Sequence, residues 1–249
     1  MKIKIGILGQ DGFLGTHLYN YLRIKENVVR IPSSKEVFNS QESLAQFAKK
    51  CDVIVHFAGK SRGENMQELY ENNMRLVYNL ISAMESKQLK PLVLFGSTTH
   101  ENRESLYHQS KREGHKAFQE WAIKNNAKAN TLIMPNVFGP YCKPNFNSFV
   151  ATFCSKIAKG EKVEILNDAS VELIYIHDLC SEIYNLIINE FFEEKYYFKN
   201  STKRKVTEIY SLLECFKQSL AQGKIPAFKD FFELNLFNTA LSYYNKIEE

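Results

Sequence analysis

The stretch "GILGQDGFLG" at positions 6–15 carries four glycines at a strict three-residue spacing, directly after the apolar run of Ile3, Ile5, Ile7 and Leu8. The spacing stops at Gly15 and the amphipathic "FLGTHLYNYLR" follows, so this is not the start of a fibrous repeat. The context predicts a strand, a tight turn and a helix. Several backbone N–H groups at a helix start lack intrahelical partners, and their dipoles favour an anion. Glycine allows a sharp turn and lets a ligand approach the backbone closely. Gly9, Gly12 and Gly15, with the backbone of Asp11, Phe13 and Leu14, are therefore candidates to hold a pyrophosphate. A glycine-rich turn with no ligand is the plainer alternative.

Strands and helices then alternate. Apolar runs at 27–31, 52–59, 91–97 and 130–135 read as strands, and the stretches 41–50, 65–87 and 107–125 have helical period. This predicts an α/β fold, a Rossmann-like doubly wound parallel sheet, with residues 1–140 as the NAD(P)-binding region. Beyond Pro140 the pattern loosens: helix 148–159, short strands 162–166 and 171–176, helix 178–191, strand 195–199, and helices 207–221 and 228–243. Residues 141–249 read as a smaller C-terminal substrate-binding lobe. With no Pro/Ser/Gly-rich linker and no internal repeat, it is expected to pack with the first region as one unit. Ligands on such sheets bind beyond the carboxyl ends of the strands, and the stretches 9–15, 58–62, 97–99 and 135–139 all follow a predicted strand.

Composition narrows the partners. A net charge of +4 on 249 residues, without a basic block, gives no sign of a nucleic-acid partner. Five scattered cysteines without a C-x-x-C spacing suggest reduced thiols rather than a disulfide framework or a zinc site. No apolar run approaches the ~20 residues needed to span a bilayer, and no signal segment opens the chain, so a cytoplasmic protein without a membrane partner is expected. His56 ends an apolar strand and reads as a core residue. His100, His108, His115 and His177 form no metal-ligand spacing, so no metal is expected. The helical stripes in "EIYNLIINEFF" and "LLECFKQSL" suit core or a dimer seam, and a homodimer is an expectation by analogy only.

The chemistry centres on "YHQSK". Tyr107 and Lys111 stand four residues apart on a predicted helix, hence on one face. A phenol with a pKa near ~10 is a poor acid or base at neutral pH, and a neighbouring ammonium is expected to bring it toward the working range. Just past the preceding strand, "GSTTH" offers the hydroxyls of Ser97 and Thr98 to orient a carbonyl oxygen.

Gly9/Gly12/Gly15, "HFAG" at 56–59, Asn73, Ser97/Thr98, Tyr107-x-x-x-Lys111 and "PNVFGP" at 135–140 occur in the order and spacing of extended short-chain dehydrogenases/reductases acting on nucleotide sugars. More narrowly, residues 135–161, "VELIYIHDL" at 171–179 and "LFNTALSYY" at 236–244 resemble the reductase domain of bifunctional CapF-type enzymes of capsular-polysaccharide synthesis. The resemblance implies an NADPH-dependent reductase of the 4-keto group of a UDP-linked 4-keto-6-deoxy-N-acetylhexosamine. Its catalytic set would be Tyr107, Lys111 and Thr98 or Ser97, with Thr98 aligning best. Phe57, Ala58, Gly59, Lys111 and Pro135 would line the cofactor. Those enzymes continue into a metal-binding cupin domain that epimerises the sugar, and this chain stops where it would begin, so reduction alone is expected. Thr99 and His100 stand where dehydratases add acid/base residues.

At the end of the second strand, Arg30, Ser33 and Lys35 replace the acidic residue that would favour NAD, so NADP is expected over NAD. Arg62, Asn136, Lys143, Asn145 and Asn147 are candidates for the sugar and diphosphate, since amides and cations bond hydroxyls and phosphates. Two alternatives stay open: a nucleotide-sugar epimerase or dehydratase that recycles a tightly held NAD, and a non-catalytic NADP-binding redox sensor.

Overall fold

A computed structural model describes residues 2–244 of the chain. They fall into two compact units. The first runs to Met134 and adds Cys180–Phe198; the second comprises Pro135–Leu179 and the chain from Lys199 onward.

The first unit is built on β1 (Ile3–Leu8), β2 (Val28–Ile31), β3 (Val53–His56), β4 (Leu92–Thr98), β5 (Ala129–Met134) and, late in the chain, β8 (Lys195–Tyr197). They form one sheet in the order β2-β1-β3-β4-β5-β8, every pairing parallel. The apolar runs of β1, β3, β4 and β5 are buried almost throughout, as parallel strands covered on both faces require. On one face α2 (Gln41–Lys49), α3 (Met66–Ser86) and α4 (Leu106–Asn125) press Leu44, Phe47, Leu80, Met84, Phe118 and Trp121 onto Leu8, Ile54, Val93 and Phe95. α1 (Phe13–Tyr21) meets the last helix of this unit through Tyr21 and Tyr184, whose ring centroids are 6.2 Å apart. The order of β2, β1 and β3 puts a change of winding direction between β1 and β3, where open α/β sheets form their crevice.

The second unit has a three-stranded sheet in the order β6 (Asn136–Phe138), β7 (Ser170–Tyr175), β9 (Thr202–Lys205), with β6 parallel and β9 antiparallel to β7. α5 (Phe149–Ala158), α7 (Val206–Ala221) and α8 (Phe231–Tyr244) pack together, and Val150, Ile157, Leu213, Phe216 and Leu236 on them are buried. The chain between α5 and β7 is irregular and contains no strand at 162–166. Both edges of β7 are taken by β6 and β9, and Leu166, 95% exposed, has no apolar face to lie on. α6 (Ile176–Ile188) begins two residues earlier than its periodicity predicts. Among the described residues no helix is long and apolar enough to cross a membrane.

Candidate active site

The glycine turn is held by its own backbone. Gly9 has φ +86°, a left-handed conformation that favours glycine, and its carbonyl accepts from the Gly12 N–H at 3.1 Å. At Gly15 a Cβ would lie 2.1 Å from the Gly9 oxygen and 2.7 Å from the Gln10 Cα, so only glycine lets α1 start this close to the turn. Ser40, Asn65, Ser105 and Ser148 cap α2, α3, α4 and α5 with a side-chain oxygen, whereas Gly12 gives α1 no such cap. The N–H groups of Phe13, Leu14 and Gly15 are thus at a helix start with neither an intrahelical nor a side-chain cap acceptor. These residues, with exposed Asp11 and Gly12 beside them, fit the diphosphate of a dinucleotide.

The turn after β3 packs directly on this loop: a Cβ on Gly9 would meet the Ala58 nitrogen at 2.7 Å. The Phe57 ring lies so close to Gly96 that a Cβ there would stand 2.8 Å from it. Buried Asn73 of α3 clamps the next peptide, accepting from the Lys60 N–H at 2.7 Å and donating to its carbonyl at 2.8 Å. It also reaches the Ser110 hydroxyl at 3.2 Å. Gly59 sits against the same Asn73 amide, 3.1 Å away if it carried a Cβ.

Lys111 of α4 points back at the sheet. Its ammonium donates to the Gly96 carbonyl at 2.9 Å and lies 5.8 Å from the Tyr107 ring centroid. Burial lowers its pKa from 10.5 to about 8. Tyr107 does not follow the expectation that Lys111 brings its phenol down: burial pushes it above the ordinary 10. The cation is directed to a carbonyl, and desolvation of the phenolate sets the direction.

The two candidate hydroxyls separate cleanly. Ser97 is 2% exposed and donates to the Glu101 carboxylate at 3.0 Å. Thr98, on the opposite face of β4 and half-buried, accepts from the His100 N–H at 3.2 Å, a bond that does not use its own hydroxyl hydrogen. Glu101 itself, buried and ion-paired with Lys195 of β8, escaped the sequence reading. It stands in the polar run "THENRES", which reads as a solvated turn, and its partner is 94 residues away.

At the end of β2 the expected phosphate-binding side chains have intramolecular partners. Arg30 stacks on Tyr19 at 4.1 Å and donates to its carbonyl at 3.0 Å. Ser33 is buried, donating its hydroxyl to the Ile7 carbonyl and its N–H to Gln10 at 3.1 Å. Lys35 is exposed, as is Arg62. The remaining sugar candidates belong to the second unit, together with buried Pro135. Asn136 donates to the Glu172 carbonyl at 3.1 Å, and Asn145 gives its N–H to Thr152 at 2.9 Å. Lys143 lies 5.6 Å from the Phe146 ring, and Asn147 is exposed. That unit also holds a cavity of about 560 Å³ lined by Tyr175, Asp178, Lys199, Asn200, Phe231 and Asn235 among others, and by none of those four.

The NAD dependent epimerase/dehydratase family's sequence model matches residues 5–194, and the chain belongs to that family, within the short-chain dehydrogenase/reductase superfamily of nicotinamide-dependent oxidoreductases. It is 28% identical, over 82% of its own length and 60% of the relative's, to the UDP-2-acetamido-2,6-beta-L-arabino-hexul-4-ose reductase of Pseudomonas aeruginosa. Among solved structures, the capsular polysaccharide assembling protein CapF of Staphylococcus aureus superposes with a TM-score of 0.83 at 27% identity, covering 99% of this chain and 66% of that one. RMD from Pseudomonas aeruginosa, complexed with NADPH, shares the fold with a TM-score of 0.79 at 17% identity, covering 99% of both chains. The chain thus spans less than two thirds of the length of the first two relatives.

Proposed function

We propose that this protein is an NADPH-dependent reductase of the 4-keto group of a UDP-linked 4-keto-6-deoxy-N-acetylhexosamine, working in the synthesis of capsule or O-antigen sugars. The observation that carries the reading is the presence, along one edge of one sheet, of an uncapped glycine-bounded helix start, Thr98 with its hydroxyl oxygen accepting from the His100 N–H, and Tyr107 with Lys111. The substrate class is supported by similarity to the Pseudomonas reductase and to CapF.

The N–H groups of residues 13–15 would hold the diphosphate of the dinucleotide, which when bound would supply a hydride for the carbonyl carbon. The Thr98 hydroxyl donates to the carbonyl oxygen and polarises it. Tyr107 delivers the proton to that oxygen as the alcohol forms. Burial serves this direction of reaction, since it keeps the phenol protonated at neutral pH. Lys111, cationic below about pH 8, stabilises the phenolate left behind until solvent returns the proton. The preference for NADP rests on Lys35, on the donors Arg30 retains beyond its bond to Tyr19, and on the absence of an acidic residue from 30 to 35. Asn136, Lys143, Asn145, Asn147 and Arg62 remain the proposed contacts to the nucleotide sugar.

The test is to mix the protein with NADPH and the enzymatically generated UDP-4-keto sugar and follow the absorbance of the reduced nicotinamide. One equivalent consumed per sugar, faster with NADPH than with NADH, is expected. Conversion of the sugar without net consumption would overturn the reading in favour of an epimerase or dehydratase.

A further inference from the structure

Between Thr98 and the start of α4 the chain makes a polar turn, residues 99–105, in which Asn102, Arg103 and Glu104 are exposed and Glu101 is buried. A carboxylate taken out of water is costly unless both its oxygens are matched. Here they are: one meets the Lys195 ammonium of β8, the other accepts from Ser97 of β4 at 3.0 Å. The backbone of the same residue is tied as well. Its N–H donates to the Thr98 carbonyl at 3.1 Å, and its carbonyl accepts from the Arg112 guanidinium, which also reaches the Arg103 carbonyl at 3.0 Å. Arg112 directly follows Lys111 on α4, and Ser97 directly precedes Thr98 on β4. The turn is therefore bracketed by the strand that carries the proposed hydroxyl, the helix that carries Tyr107 and Lys111, and the last strand of the sheet.

The consequence falls on Thr98. Its oxygen is oriented by the N–H of His100, the residue next to Glu101. That donor belongs to the same short turn as Glu101, so loosening the turn at residue 101 would loosen the hold on the Thr98 oxygen as well. We propose that Glu101 is a positioning residue, whose carboxylate, anchored by Lys195 and Ser97, fixes the 99–105 turn so that Thr98 presents its hydrogen to the reacting carbonyl. The inference deepens the reductase reading and rests on it. Glu101 acts through the turn rather than on a ligand: its side chain is 8% exposed and both oxygens are engaged by protein groups. Lys195, on the solvent side of the pair at 33% exposed, is the accessible handle on it.

The experiment is a pair of double-mutant cycles with steady-state kinetics, Glu101→Gln and Lys195→Met each alone and combined with Thr98→Val. In the otherwise native protein each single variant lowers kcat roughly 10- to 100-fold, the scale of a misplaced reacting group, with KM for the sugar and Kd for NADPH changed less than about twofold. In the Thr98→Val background the same changes lower kcat less than about twofold, because the group they position is already gone. Lys195→Arg restores most of the native kcat. Hydrogen exchange of the free protein gives a readout without turnover: the His100 and Glu101 amides exchange faster in Glu101→Gln. Should Glu101→Gln not fold, Lys195→Met carries the same cycle.

Equal losses of kcat with and without Thr98, or a native kcat in folded Glu101→Gln, would overturn the positioning role while leaving the reductase reading intact. Absence of turnover in the unsubstituted protein despite NADPH binding would overturn both.

Discussion

His56 gives the sharpest quantitative prediction, because it is a titratable group in a place that tolerates only its neutral form. It ends β3, 1% exposed, with the rings of Phe95 and Phe118 each 5.7 Å away, and among the described residues neither ring nitrogen has a hydrogen-bond partner of good geometry. Burial first, then the charge of Lys111, lowers its pKa from 6.5 to about 4; backbone groups at His56 and Leu76 offset this only in part. Below the unfolded value the denatured chain takes up a proton that the folded protein refuses. Stability from this site is therefore intact above about pH 6.5 and lost as pH falls toward 4, and the displacement corresponds to about 3 kcal/mol. His56→Leu, similar in volume and unable to titrate, removes the dependence while costing under about 1.5 kcal/mol at neutral pH. Urea unfolding of both proteins from pH 7.5 to 4 isolates the effect, since the carboxylates common to both cancel in the difference. The variant should gain about 3 kcal/mol relative to the native protein across that range; parallel curves would mean that the fold does not hold His56 neutral.

Four further outcomes follow from the site. Gly15→Ala drives a methyl group into the Gly9 carbonyl, and should cost about 1–3 kcal/mol in urea unfolding and abolish NADPH binding measured by nucleotide fluorescence. Thr98→Val should lower kcat about 10²- to 10³-fold, the scale of a lost oxyanion donor. Ser97→Ala, which leaves a buried Glu101 oxygen short of a donor, should cost about 1–3 kcal/mol of stability and, with one of the two Glu101 anchors gone, also lower kcat, by less than Thr98→Val does. Because Lys111 loses its charge in the free protein near pH 8, NADPH affinity should weaken as pH rises through that value, and Lys111→Met should be weak and flat with pH in the same titration.

What could be read from the sequence was whatever is local in the chain. The three-residue glycine spacing and the Tyr107/Lys111 interval are fixed by the geometry of a turn and of a helix, and the apolar runs place β1 to β5 to within a few residues. β6 was missed because three residues carry no periodicity, and β9 because "TKRK" is a run of cations with no apolar alternation, as suits an edge strand. The strand expected at 162–166 had the right alternation but no partner edge. The Glu101–Lys195 pair joins residues on two non-consecutive elements, so no local pattern announces it, and the engagement of Arg30 with Tyr19 is likewise set by how α1 crosses β2. The raised rather than lowered Tyr107 pKa has the same origin, since spacing gives proximity to a cation but not the depth of burial that opposes it.

The most direct test of the central claim is isotopic. NADPH carrying deuterium at the nicotinamide C4, in each of its two stereochemical forms, is incubated with the protein and the UDP-4-keto-6-deoxy-N-acetylhexosamine, with Tyr107→Phe alongside. A reductase transfers the label from one of the two forms to sugar C4, giving an alcohol one mass unit heavier than that formed with unlabelled cofactor, and Tyr107→Phe abolishes the transfer. A sugar product free of label, with the deuterium still on the nicotinamide, would contradict the account.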